Sequence, residues 1–181
     1  MLSEFRPSVL IEVGTWKGAS VLHMRSVARR LGLDTALICV DTWLGSAEHW
    51  SQPQPREHLR LEGGFPTLYR EFIRNVIAED AVEDVYPLPL SSAAAARTLA
   101  KLGVTADVVY LDAAHEEEEV RLDLELYWPL VRPGGAMFGH DYNWPGVKKA
   151  VDAFFGRRRF ELDETYWLMR RSKARRRLRA S

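Results

Sequence analysis

Two carboxylates and two imidazoles fall just past apolar runs in the second half of the chain. Asp112 and His115 lie in Leu111-Asp112-Ala113-Ala114-His115, and the pair His140-Asp141 follows Ala136-Met137-Phe138-Gly139. Asp112, His140 and Asp141 together offer oxygen donors and one nitrogen, a set that suits Mg²⁺ or Mn²⁺ and, through the histidine, admits a transition metal such as Fe²⁺. An ion held there could lower the pKa of a substrate hydroxyl and hold it in line with a reacting carbon. His115, three residues past Asp112, could accept the hydroxyl's proton, as imidazoles commonly do, which makes Asp112 and His115 the candidate catalytic pair. The competing reading of Asp112 and Asp141 is strand-end capping, and that of His115 is an ordinary surface histidine.

A second constellation lies near the N-terminus. Val9–Val13 is a nearly continuous apolar run, as for a strand covered on both faces, and it carries Glu12 into Gly14-Thr15-Trp16-Lys17-Gly18-Ala19-Ser20. A strand feeding a helix through a glycine turn leaves free N–H groups beside a cleft. Glu-x-Gly-x-x-x-Gly is not the Gly-x-Gly-x-x-Gly spacing that admits a pyrophosphate. An acidic residue two positions before the first glycine suits a ligand with an ammonium group and no phosphate, and S-adenosylmethionine is one. The plain alternative is a turn that binds nothing. The run 36–41 ends in Asp41, placed as a strand-end acid that accepts both ribose hydroxyls of a nucleoside. Ser91 and Ser92 open an alanine-rich helix, where they act as caps or, in a nucleoside pocket, lie near the base.

The elements that must position these residues follow from periodicity. Strands are expected at 9–13, 36–41, 85–90, 107–112 and 136–139, with the turn Arg132-Pro133-Gly134-Gly135 before the last, and a closing pair at 159–162 and 166–169. Helices are expected behind Gly18 as far as Gly32, and at 68–78, 93–102, 116–127 and 144–155. The acidic quartet Glu116 to Glu119 suits a helix N-terminus. Strands alternating with helices over short connections give an α/β, Rossmann-like, doubly wound and mostly parallel sheet, whose ligands bind at the C-terminal strand ends. Gly14, Asp41, Ser91, Asp112, His140 and Asp141 all fall at such ends. Between Thr42 and Pro66 six glycines and prolines forbid a long regular element, while Trp43, His49, Trp50 and His58 are costly to leave on an idle loop. Residues 42–66 therefore read as a lid on the acceptor side, partly aromatic.

The whole chain has 181 residues, 46% of them hydrophobic and 28% charged, which suits one domain, 1–169, with a real core. No apolar run is long enough to span a bilayer, no signal-peptide pattern opens the chain, and little precedes the first strand. The lone cysteine, Cys39, lies in an apolar strand; it fits an inert buried thiol in a reducing cytoplasm. The formal net charge is zero, but Arg170, Arg171, Lys173, Arg175, Arg176, Arg177 and Arg179 crowd the segment 170–181 without an acid among them. A solvated tail is preferred to an arm for nucleic acid.

These motifs together resemble a class I S-adenosylmethionine-dependent methyltransferase, in the small-molecule branch that includes macrolide sugar O-methyltransferases and cephalosporin-hydroxylase-like proteins. The resemblance rests on residues 11–20, on Val40-Asp41-Thr42-Trp43, on residues 111–115 and on residues 130–135 through 139–142. It implies a seven-stranded sheet with the last strand antiparallel. It also implies that Glu12, Gly14, Thr15, Trp16, Gly18 and Ser20 surround the methionine part of the cofactor, with Asp112 near it. Asp41 would hold the ribose, and Thr42, Trp43 and Ser91 or Ser92 would border the adenine. Metal-dependent members bind Mg²⁺ through an Asp after the fourth strand and an acidic pair, or Asp-Asn, after the fifth, positions that match Asp112 and His140-Asp141. Catechol-type members carry a lysine base where this chain has His115. The chain departs from the pattern at His140, and at its N-terminus, where leading helices that cover the acceptor in relatives are not evident. The implied activity is metal-assisted methyl transfer from S-adenosylmethionine to a hydroxyl of a small molecule, a sugar among the candidates, with no membrane partner and with homo-oligomerisation left open. The alternatives are a hydroxylase-like oxidoreductase and a non-catalytic S-adenosylmethionine-binding module.

Overall fold

The computed structural model describes residues 1–156 and 159–173. In chain order the elements are α1 (Leu2–Phe5), β1 (Val9–Val13), α2 (Ala19–Arg30), β2 (Ala36–Val40), α3 (Ala47–Ser51), α4 (Pro53–Glu57), α5 (Leu68–Ala78), β3 (Val85–Leu88), α6 (Ser92–Lys101), β4 (Ala106–Leu111), α7 (Glu117–Tyr127), a short 3₁₀ turn at Trp128–Leu130, β5 (Val131–Gly139), α8 (Pro145–Phe155), β6 (Glu161–Asp163) and β7 (Tyr166–Arg170). The strands form one seven-stranded sheet in the order β3-β2-β1-β4-β5-β7-β6. The pairings among β1 to β5 are parallel, and β7 runs antiparallel to both β5 and β6.

The central strands explain the layering. Every residue of β4 is buried, and β1 is buried from Leu10 onward, so both sheet faces must be covered. One face packs Ile11, Val13, Val109 and Met137 against α6, α7 and α8 through Leu99, Leu124 and Val151. The other packs Leu10, Leu37, Val108 and Tyr110 against α2 and α5 through Val21, Phe72 and Val76. Helix α5 places Leu68, Phe72 and Val76 on one buried side at the three-to-four-residue spacing of an amphipathic helix.

Several expectations are corrected by the structure. The segment 132–135 is extended within β5, not a turn before it: Ala106 pairs with Val131 and Val108 with Ala136, a bulge that absorbs the extra residues. A one-turn helix, Leu2–Phe5, precedes β1, and the lid 42–66 contains the five-residue helices α3 and α4. The lid is anchored rather than loose, because Trp43 and Leu59 are fully buried and Thr67 N–H donates to Leu59 O at 3.0 Å. Arg170 ends β7 and pairs with Glu4 and Glu161, and Arg171 Nη1 donates to Trp128 O at 2.8 Å. Arg175, Arg176, Arg177 and Arg179 lie outside the described residues. No helix among the described residues is long and apolar enough to cross a membrane.

Candidate active site

The turn after β1 is built on a close approach that only glycine permits. Gly14 has φ 89°, and a Cβ there would lie 2.1 Å from the carbonyl oxygen of Asp112. Its N–H donates to Val40 O at 2.9 Å, and Asp112 N–H donates to Val13 O at 2.9 Å, so the ends of β1, β2 and β4 are pinned together. Gly18, with φ 87°, is the N-cap of α2 and supplies no side-chain cap, which leaves the first turn of that helix facing the crevice without one. Lys17 pairs with Glu71 of α5 at 2.8 Å, and Arg60 of the lid reaches the same carboxylate at 3.0 Å, bracing the turn from behind.

Glu12 is fully buried. Ser20 Oγ donates to its Oε1, while Oε2 and the buried hydroxyl of Thr15 have no hydrogen-bond partner. Burial pushes the Glu12 carboxyl up to about 8; the Ser20 hydrogen bond opposes this, and the charges of Asp112 and Asp41 add to it. Glu12, Asp41 and Asp112 stand at the ends of β1, β2 and β4, which the Gly14–Val40 and Asp112–Val13 hydrogen bonds hold side by side. Unpartnered buried polar atoms beside an uncapped helix start fit the polar end of a bound cofactor.

Asp41 shapes this turn. Its Oδ2 accepts the Trp16 N–H at 2.8 Å and its Oδ1 the Trp43 N–H at 2.7 Å. Both donors have left-handed backbones, with φ 51° at Trp16 and φ 53° at Trp43. Each oxygen keeps a further lone pair for a ligand hydroxyl. Trp43 lies in the core: it is 2% exposed, its ring packs 4.9 Å from that of Phe72, and its Nε1 donates to Trp16 O at 2.7 Å. It holds the turn after β1 from beneath. His49 closes a capping box with Ser46 and packs its ring 4.6 Å from Trp16, so it is a lid-to-turn contact. Thr42 is exposed and accepts the Leu44 N–H at 3.2 Å. Ser91 is the exposed N-cap of α6, accepting the Ala94 N–H at 3.4 Å. Ser92 bonds to α7: its hydroxyl donates to Asp123 Oδ1, and its carbonyl accepts the Tyr127 hydroxyl at 2.9 Å.

Side chains of Asp112, His115, His140 and Asp141 meet past the ends of β4 and β5. His140 Nδ1 lies 3.1 Å from Asp141 Oδ1 and 3.8 Å from Asp112 Oδ1. Ligand atoms of Asp112, His140 and Asp141 all fall within 4.8 Å of one another, a span an ion could bridge. His115 lies outside that set but joins it through Asp141, whose Oδ2 is 3.0 Å from His115 Nε2. Among the described residues the set therefore holds one imidazole nitrogen, not the two of an iron oxygenase triad. Burial raises the Asp112 carboxyl; the Tyr110 hydroxyl, donating to Oδ2 at 2.7 Å, opposes that rise. Trp144 stacks on His115 with centroids 4.4 Å apart, and Tyr166 leans on His140 at 4.5 Å. Both aromatics are nearly half exposed, so each presents surface at the mouth of the cluster. Sequence reasoning missed Tyr110, Trp144 and Tyr166. Tyr110 was within reach, since it stands two residues before Asp112 on the same face of β4; the other two lie at element starts, where no periodicity marks them.

Residues 11–142 match the methyltransferase-domain family. The chain belongs to this family. The matched span opens in β1 and closes at Tyr142, so it contains Glu12, Asp41, Asp112, His115, His140 and Asp141, while Trp144 and Tyr166 fall outside it. Solved structures share the Rossmann-like fold of the methyltransferase. CalS11, a calicheamicin methyltransferase, is 18% identical over 93% of this chain and 74% of that one, with a TM-score of 0.64. The O-methyltransferase NovP is 21% identical over 92% and 72% of the two chains, with a TM-score of 0.64. An O-methyltransferase from Bacillus cereus, in complex with SAH, is 13% identical over 95% and 77%, with a TM-score of 0.65. No curated protein matches the methyltransferase.

Proposed function

We propose that the chain transfers a methyl group from S-adenosylmethionine to a hydroxyl of a small molecule, a sugar being one candidate, with a divalent metal ion held by Asp112, His140 and Asp141. The observation that carries this reading is the convergence of the β1, β2 and β4 ends, which bear Glu12, Asp41 and Asp112, beside a mixed acid–imidazole cluster. The cofactor brings a methyl group on a sulfonium centre, and the ion brings Lewis acidity that lowers the pKa of a nearby hydroxyl. Glu12, with its unpartnered Oε2, receives the ammonium end of the cofactor within the turn of Gly14, Thr15, Trp16, Gly18 and Ser20. Asp41 accepts the ribose hydroxyls on its remaining lone pairs, and Thr42 and Ser91 border the adenine.

His115 takes the acceptor's proton. With Nε2–H directed at Asp141, its Nδ1 carries the free lone pair, and stacking on Trp144 holds the ring in that orientation. Methyl transfer needs no covalent bond to the protein, so positioning and deprotonation carry the rate. One domain over 1–169 in a cytoplasmic setting fits the same reading, as does the buried free thiol of Cys39.

Calorimetric titration with S-adenosylmethionine and S-adenosylhomocysteine, with and without divalent ion, tests the proposal when followed by an acceptor screen with labelled methyl donor. Binding of both nucleosides and labelled sugar or phenol products are expected. Failure of both nucleosides to bind overturns the reading, and binding without transfer to any acceptor, unaffected by Asp112→Ala, reduces the chain to a binding module.

A further inference from the structure

Donor atoms of unlike chemistry meet past the ends of β4 and β5, and their placement bears on which ion they suit. His140 Nδ1 lies 3.1 Å from Asp141 Oδ1 and 3.8 Å from Asp112 Oδ1, so the nitrogen faces both carboxylates instead of standing behind them. The imidazole is held from several sides. Its ring leans on Tyr166 at 4.5 Å, and the His140 N–H donates to Leu111 O at 3.3 Å. Asp141 is fixed as well: its backbone sits at φ 58°, its carbonyl accepts the Trp144 N–H at 2.8 Å, and its second carboxylate oxygen lies 3.0 Å from His115 Nε2.

Mg²⁺ prefers oxygen ligands in a near-ideal octahedron and gives up its water reluctantly. An imidazole standing where a carboxylate would complete an all-oxygen set removes one negative charge, which weakens a hard ion held by electrostatics. The same nitrogen strengthens binding to borderline ions, whose affinities for mixed nitrogen–oxygen sites rise from Mn²⁺ through Co²⁺. Resting on the metal reading proposed above, we infer that this site selects a borderline transition-metal ion over Mg²⁺, with His140 Nδ1 as the selecting ligand. Toward the ion, the base His115 acts through Asp141, whose carboxylate it orients from 3.0 Å, in the manner of outer-shell partners that fix ligating carboxylates.

The test uses the whole chain, stripped with chelator and titrated calorimetrically with MgCl₂, MnCl₂ and CoCl₂, with the visible absorption of bound Co²⁺ as a readout of nitrogen ligation. Mn²⁺ and Co²⁺ are expected to bind at least about tenfold more tightly than Mg²⁺. His140→Asp should close that gap, gain Mg²⁺ affinity and change the Co²⁺ spectrum; His140→Gln should lose Co²⁺ without gaining Mg²⁺. His115→Ala should weaken every ion about 10–100-fold and leave their order unchanged. Retained S-adenosylhomocysteine binding in each variant reports an intact fold. Equal or tighter binding of Mg²⁺ by the wild type, or an unchanged order in His140→Asp, overturns the inference. If the wild type binds no divalent ion yet still binds S-adenosylhomocysteine, the metal reading itself falls and methyl transfer without metal stands.

Discussion

Replacing Glu12 by glutamine should make the protein more stable and a poorer binder of its cofactor, with the gain in stability growing as pH rises. The carboxyl is fully buried, keeps one unpartnered oxygen and is pushed from an ordinary 4.5 up to about 8, first by burial and then by Asp112 and Asp41. A raised carboxyl binds its proton more tightly in the folded state. Its contribution to stability is therefore complete below pH 4.5 and is lost as pH climbs toward 8, at about 1.4 kcal/mol per pH unit. The accumulated loss is about 3 kcal/mol at pH 7 and approaches about 5 kcal/mol above pH 8, an upper bound because burial leaves the carboxyl room to relax. Glutamine keeps an acceptor for Ser20 and carries no charge, so it removes this penalty. Urea unfolding of wild type and variant at pH 5, 6, 7 and 8 measures the difference. The curves should nearly coincide at pH 5 and separate steadily, while calorimetry at pH 7 shows weaker S-adenosylmethionine binding by the variant. A gap that is constant with pH, or that favours the wild type more at pH 8 than at pH 5, would refute the assignment of Glu12 as a strained acid held ready for a cation.

Asp41→Asn keeps one oxygen for two backbone donors, so it should lower stability by about 1.5–3 kcal/mol and weaken cofactor binding, both read by denaturation and calorimetry. Ser92→Ala should cost about 1–3 kcal/mol by stripping Asp123 of its hydroxyl partner, and it should push that carboxyl further above about 6. Cofactor affinity should not change, and weaker nucleoside binding would return Ser92 to the pocket. Trp144→Ala unstacks His115, so turnover should fall and its pH profile shift while the S-adenosylhomocysteine dissociation constant stays within error. Steady-state kinetics beside calorimetry separates the two effects.

What could be read in the sequence was whatever a short window encodes. The apolar run of β1, the stripe Leu68, Phe72 and Val76 in α5, and an acid or imidazole just past β2, β4 and β5 all follow from local pattern, and the topology then brings the strand ends together. Long-range contacts were not legible. Nothing near Ser92 announces Asp123 in another helix, and nothing near Trp43 says that its indole turns inward to hold the Trp16 carbonyl. The bulge in β5 was hidden because Arg-Pro-Gly-Gly has the composition of a turn, while the pairing of Ala106 with Val131 keeps it extended. His115 was visible as a base candidate, but its link to Asp141 depends on the loop after β5 adopting a left-handed step at residue 141.

The contact between residue 14 and the carbonyl of Asp112 welds two functions into one joint. Any side chain at position 14 must displace the peptide that carries Asp112, so the turn after β1 and the end of β4 cannot drift apart independently in descent. Variation is then channelled away from that seam, into exposed positions such as Leu44, Trp50 and Phe65 of the segment 42–66.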